Sequence, residues 1–225
     1  MNILLVIATK PEVDLLISAL GLEKPGKGAF YTGGIYKNHH IEVLIAGVGG
    51  ISTVYFLTRL LQQKKYDLAI NIGIAGSFNR KLKIGAVVCV KEDCFADLGV
   101  EDGEQFLTLF DSKLLKDDVY PFKGGMLKPY FDIPGLPMLP LVKGVTVNTV
   151  SGTNPTIQKL KKKFSPDIET MEGAAFFYVC MLEGIQCMQI RSVSNYVEIR
   201  DKGKWNIPLA LENLKNTIIT IFENY

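Results

Sequence analysis

The chain opens on an apolar run, Asn2-Ile3-Leu4-Leu5-Val6-Ile7-Ala8, that gives way at once to Thr9-Lys10-Pro11-Glu12, a helix-start signature. A buried strand feeding a helix is the reading. The same alternation recurs to the C-terminus. Strand-like runs fall at about 2–8, 29–35, 39–46, 67–73, 84–92, 142–149 and 185–193. Helix-like patterns fall near 11–20, 50–64, 154–163, 172–183 and 206–223. Such a chain folds as α/β, in three layers, with a mixed but mostly parallel central sheet flanked by helices. The antiparallel exception is Gly33-Gly34-Ile35-Tyr36-Lys37-Asn38-His39, which reads as a hairpin connection. No internal repeat is visible. Residues 98–141, with Pro121, Pro129, Pro134, Pro137 and Pro140, lack periodicity and read as a functional loop, lid or oligomer contact. The expectation is a single domain over 1–225 with a mobile, irregular insertion at about 98–141.

Composition excludes several classes. The 225 residues suffice for a full α/β core. A formal charge of +2, with no basic stripe, speaks against a nucleic-acid partner. The densest basic run, Lys159-Leu160-Lys161-Lys162-Lys163, reads as the end of a solvated helix. The apolar N-terminus is too short for a membrane span and lacks a cleavage site, so neither membrane association nor secretion is expected. Cys89, Cys94, Cys180 and Cys187 have no Cys-x-x-Cys spacing, which fits reduced thiols in the cytoplasm. His39 and His40 are adjacent, would point apart in a strand, and make poor metal ligands.

Several residues carry candidate chemistry. Glu12 fits a capping box with Thr9, yet also lies beyond the first strand, where a carboxylate can take a proton from water. The two readings are compatible. Gly47-Val48-Gly49-Gly50 sits between a strand and a helix, but it lacks the last glycine of a dinucleotide loop. Asp67 would open the next strand rather than close it. A tight turn is the better reading. In Gly73-Ile74-Ala75-Gly76-Ser77, backbone amides at Ala75 and Gly76 can approach a ligand closely. Glu169 and Glu172 span a strand-to-helix junction. Glu172, expected in the first helical turn, would be kept ionised by the helix dipole and could accept hydrogen bonds from a ribose diol. Arg191-Ser192-Val193-Ser194-Asn195 ends the following strand at the same crevice.

Together, Glu169-Thr170-Met171-Glu172-Gly173-Ala174-Ala175 and Arg191–Asn195 make the chain resemble the purine nucleoside phosphorylase and nucleosidase superfamily over nearly its whole length. Within it the resemblance is to the futalosine-cleaving nucleosidases of menaquinone biosynthesis, relatives of the methylthioadenosine/S-adenosylhomocysteine nucleosidases. The resemblance implies a phosphorylase/hydrolase-like fold and cleavage of an N-glycosidic bond through a ribosyl-cation-like transition state. It implies Glu12 as general base, Met171 and Glu172 under the ribose, and Arg191 and Ser194 beside the purine reader at Asn195. No metal and no cofactor are needed. The implied partners are a purine nucleoside and a second copy of the chain, as a homodimer or higher oligomer.

Two departures from the adenine nucleosidases bear on the substrate. They carry Ser-Asp where this chain has Ser194-Asn195. A neutral Asn accepts from protonated nitrogen 7 and donates to a 6-oxo group, which argues for hypoxanthine or guanine. Ile74 stands where they keep a Ser. Ala96-Asp97-Leu98-Gly99-Val100-Glu101-Asp102-Gly103, Tyr196–Asp201 and Trp205 are similar to the futalosine subgroup. Arg200-Asp201 also reads as a plain surface ion pair. Lys123, Lys128, Arg200 and Lys204 are the candidates for the benzoate end of such a substrate. Asn148–Gly152 should lie against the base. Phosphorolysis of inosine-like nucleosides is disfavoured, because Glu12 would repel phosphate. A non-catalytic nucleoside-binding protein would have no use for Glu12.

Overall fold

The computed structural model describes residues 1–23, 31–130 and 138–224. In chain order the first elements are β1 (Asn2–Ile7), α1 (Lys10–Ala19), β2 (Tyr31–Tyr36), β3 (His39–Ile45), α2 (Gly50–Leu61) and β4 (Leu68–Ser77). Next come β5 (Val87–Glu92) and two small hairpins, β6 (Gly99–Asp102) with β7 (Gln105–Thr108) and β8 (Phe122–Lys123) with β9 (Met126–Leu127). The chain closes with β10 (Leu141–Thr146), α3 (Asn154–Phe164), β11 (Ile168–Thr170), α4 (Gly173–Leu182), β12 (Cys187–Tyr196), one 3-10 turn at Lys202–Lys204, and α5 (Ile207–Asn224).

The layers follow from the two-residue period of β1. Ile3, Leu5 and Ile7 face one apolar layer with Val13, Leu16 and Ile17 of α1 and Leu214 and Ile218 of α5. Leu4 and Val6 face the other, with Leu57 and Leu61 of α2 and Phe176 and Phe177 of α4. On α1 the buried positions recur at three- and four-residue spacing, so one stripe meets the sheet. Truncating a side chain such as Leu5, which has no exposed surface, would cost about 2–5 kcal/mol. A third cluster, with Val145, Val147, Ile157 and Leu160, lies under α3.

The main sheet has the order β11-β10-β5-β12-β4-β1-β3-β2. The expected hairpin is present: β2 and β3 pair antiparallel from Tyr31 to Tyr36, around Lys37 and Asn38. His39 is buried and His40 exposed, on opposite faces of β3. The expected start of β2 at 29–30, with Pro134 and Pro137 of the insertion, lies outside the described residues. A second antiparallel junction, β5 against β12, corrects the expectation that the hairpin is the one exception. β11 pairs parallel with β10 and antiparallel with the end of β4. Strands β4, β12, β5, β10 and β11 therefore close into a ring. Lys161–Lys163 form the last turn of α3, as the charge pattern predicted. All four cysteines are buried free thiols. Among the described residues no helix is long and apolar enough to cross a membrane.

Candidate active site

The ends of β1, β4, β11 and β12 surround a cavity of about 330 Å³. Glu12 and Glu172 line it, as do Met171, Ala75, Gly76, Ser194 and Asn195. Arg191, expected beside the base, does not; it lies fully buried beneath the floor.

Thr9 and Glu12 form the predicted capping box, which brings the Glu12 carboxylate over the end of β1. Its Oε2 accepts from the Thr9 amide at 3.0 Å and from the Thr9 hydroxyl at 2.8 Å, while Oε1 lies 3.4 Å from the Ile74 amide. The carboxylate is thereby fixed toward β4 rather than left to solvent. Gly73 makes this possible, because a Cβ there would lie 3.0 Å from Glu12 Oε1 and 2.5 Å from an Arg191 guanidinium nitrogen.

Glu172 differs from its expected place. It is the cap residue preceding α4, not part of its first turn, and its side chain turns away from that helix. Oε1 accepts from the Gly49 amide at 2.9 Å, at the start of α2, and Oε2 faces Arg191 at 3.9 Å. Gly47–Gly50 thus serves as a turn that offers an amide to Glu172. Burial pushes the Glu172 carboxyl up from its ordinary value, against the expectation of a helix dipole holding it ionised; the Arg191 charge and the Gly49 amide pull the other way.

Beneath the floor runs a buried polar chain. Arg191 donates through Nε to Gln189 Oε1 at 3.0 Å and through Nη2 to Asn71 Oδ1. Asn71 donates in turn to the Val6 carbonyl on β1. Gln189 Nε2 donates to Asp93 at 3.1 Å, and Asp93 also accepts from Thr146 Oγ1 and the Cys94 amide. Asp93 has no exposed surface, and burial raises its carboxyl to about 6. Sequence reasoning passed over Asn71, Gln189 and Asp93. The available signal was polar residues inside runs that are otherwise apolar, in Ala69-Ile70-Asn71-Ile72 and Met188-Gln189-Ile190-Arg191.

At the other end, β12 carries a bulge: Val193 is the register partner of Ala75 and Asn195 that of Gly76, which leaves Ser194 over. Ser194 Oγ donates to Asn195 Oδ1 at 2.8 Å, and Asn195 Nδ2 donates to the Tyr196 carbonyl at 3.0 Å. These partners fix which way the amide points. One acceptor position and one N–H of Asn195 remain. Glu169 lines the same cavity, buried, with its carboxylate accepting from the Ser151 amide and hydroxyl. Val150, in the segment expected against the base, and Trp205 also line it.

A second cavity of about 360 Å³ adjoins, sharing Val150, Glu169, Asn195 and Trp205 with the first. Arg200 and Lys204 line it, whereas Lys128 is paired with Glu92 at 3.0 Å. The expected Arg200–Asp201 ion pair is not formed. Arg200 lies over the Trp205 ring, and Asp201 accepts from Gly203 and approaches Lys204, because the 3-10 turn folds Asp201 back on itself.

Residues 2–223 match the model of the phosphorylase superfamily, and the chain belongs to that family. It is 28% identical over 212 residues to a futalosine hydrolase of Thermus thermophilus, covering 91% of this chain and 92% of that protein. It is 29% identical over 240 residues to a 5'-methylthioadenosine/S-adenosylhomocysteine nucleosidase of Buchnera aphidicola, covering 98% and 90%. The structure of a Helicobacter pylori futalosine hydrolase superimposes with a TM-score of 0.82 over 100% of this chain and 98% of that one. At 16% identity that likeness speaks to the fold.

Proposed function

We propose that this member of the phosphorylase superfamily hydrolyses the N-glycosidic bond of futalosine and releases hypoxanthine. The observation that carries the reading is a neutral, oriented Asn195 in one cavity with Glu12 and Glu172. Glu12 takes a proton from water as its oxygen bonds to the anomeric carbon. The bond to the purine breaks and its electron pair leaves with the base, which takes a proton from solvent at nitrogen 7, while Glu12 returns its own proton to solvent. Asn195 accepts from that N–H and donates to the 6-oxo group. Glu172, backed by Arg191, binds the ribose hydroxyls, and its charge favours the cationic sugar. Met171, Ala75, Gly76 and Ser194 complete the contacts. Arg191 acts through Glu172.

The relatives include adenine nucleosidases as well as futalosine hydrolases, and Asn195 favours the 6-oxopurine. Hydrolysis is favoured over phosphorolysis because a carboxylate occupies the turn after β1. The four buried thiols fit a reducing, cytoplasmic setting. A homodimer is supported by the exposed apolar side chains of Ile51, Val54 and Tyr55 along α2, next to Val48, which is exposed and also lines the cavity. A partner there would help close the site, and sedimentation of the purified chain checks the assembly.

The test is base release from futalosine, its 6-amino analogue, inosine and methylthioadenosine, with and without inorganic phosphate. Phosphate-independent hypoxanthine release from futalosine is expected. Activity only with phosphate, or preference for an adenine nucleoside, would sink the reading.

A further inference from the structure

We propose that Glu169 reads the purine edge next to the one read by Asn195 and so selects bases that carry a proton on ring nitrogen 1. The inference rests on the purine-nucleoside reading above and adds a specificity-determining residue to it. Gly76 is the register partner of both side chains, Asn195 on β12 to one side and Glu169 on β11 to the other. Residues directly opposed in a sheet project to the same face. Two strand spacings put the two Cα atoms about 10 Å apart. Gly76 adds no side chain to the row between them, and a Cβ there would crowd Val197 at 2.9 Å and Asn195 Nδ2 at 3.3 Å. Gly76, Asn195 and Glu169 line one cavity, so a planar base held there meets an amide at one edge and a carboxylate at the next.

Glu169 is 4% exposed and lines both adjoining cavities. Its carboxylate accepts from the Ser151 amide and hydroxyl, and it forms no ion pair among the described residues. A carboxylate has about four lone-pair positions, so acceptor capacity remains. Burying such a group without a cation is costly. Fastening Ser151 alone would not require a charge there.

The chemistry of the base fits that capacity. Passing around a 6-oxopurine from nitrogen 7, the edge presents the 6-oxo oxygen and then the N1–H donor. Asn195 meets the first two groups, and a carboxylate accepts from the third. A 6-aminopurine has a bare lone pair at nitrogen 1, which would face the Glu169 lone pairs with no proton between them.

Base release from futalosine and its 6-amino analogue, by wild type and Glu169→Gln, tests this. A carboxamide can offer nitrogen 1 either a carbonyl or an N–H. The kcat/KM preference for the 6-oxo substrate should then fall by about tenfold or more, a ratio that fastening Ser151 would not control. In a second arm on wild type alone, 1-methylhypoxanthine should inhibit at least about tenfold more weakly than hypoxanthine. An unchanged preference in folded Glu169→Gln, or equal inhibition by the two bases, overturns the proposal and leaves the hydrolase reading standing. If Glu169→Gln does not fold, the inhibition arm decides. Wild type that releases no hypoxanthine from futalosine overturns the hydrolase reading, and this inference with it.

Discussion

At the end of the cavity proposed to hold the ribose, Glu172 faces Arg191 at 3.9 Å, and the guanidinium continues through Gln189 to Asp93, all of it buried. At the end proposed to hold the base, Ser194, Asn195 and the Tyr196 carbonyl are joined by neutral hydrogen bonds of 2.8 and 3.0 Å on a strand bulge. In the proposed reaction the first arrangement holds charges where charge develops, and the second holds dipoles that would tell one base from another. Charge placement should therefore govern rate and stability at one end, and amide orientation should govern selectivity at the other.

The sharpest way to break the comparison is Glu12→Gln, expected to lower kcat by about 10²–10⁴ with KM little changed. Steady-state kinetics with parallel ligand binding measures this, and a comparable loss of binding would mean that Glu12 holds substrate rather than activating water. Next is Arg191→Met. It leaves the Glu172 carboxylate buried without its cation, at a cost of about 3–5 kcal/mol by denaturant unfolding at pH 7. Because the loss of Arg191 raises the Glu172 carboxyl further, the deficit should shrink as pH falls and that group takes up a proton.

Asp93 gives a pH test of the same network. Its carboxyl is raised from 3.8 to about 6, so its contribution to stability is fully present below pH 4 and is lost as pH rises toward 6. A shift of that size is worth about 3 kcal/mol. Asp93→Asn should flatten the stability profile across that window, and a profile parallel to wild type would mean that Asp93 titrates normally. The smallest effect belongs to the neutral end. Asn195→Asp should leave the fold intact and move base preference toward the 6-amino substrate by about 1–3 kcal/mol, read as relative kcat/KM.

What the sequence reveals follows the same division. β1 and its helix start were legible because an apolar run and a cap signal are local. Glu12, Glu172 and Asn195 could be assigned to one crevice because each ends a strand. β12 was expected to stop at 193 yet runs through Tyr196, since a polar Ser194-Asn195 hides a bulge from any two-residue pattern. The hairpins β6–β9 have strands of two to four residues, too short to show a period. β11 shows no strand pattern in the sequence because it has only three residues. Its pairing with β4 escaped because register between distant strands leaves no local mark. Glu169 stood in a recognised segment but drew no role, since its value depends on that pairing.

The ring closed by β11 also imposes an order of events on a chain being synthesised. Ser77 and its partner Ile168 are separated by about ninety residues, so a large loop must close before either wall of the Gly76 slot exists. A nascent chain that has released β4 but not β11 lacks one wall of the proposed base site. A long-lived ribosomal pause before residue 168 would leave the β4 edge open to pairing with other chains. A nucleobase, for the same reason, can stabilise the finished protein by mass action but cannot help an unfinished one to fold.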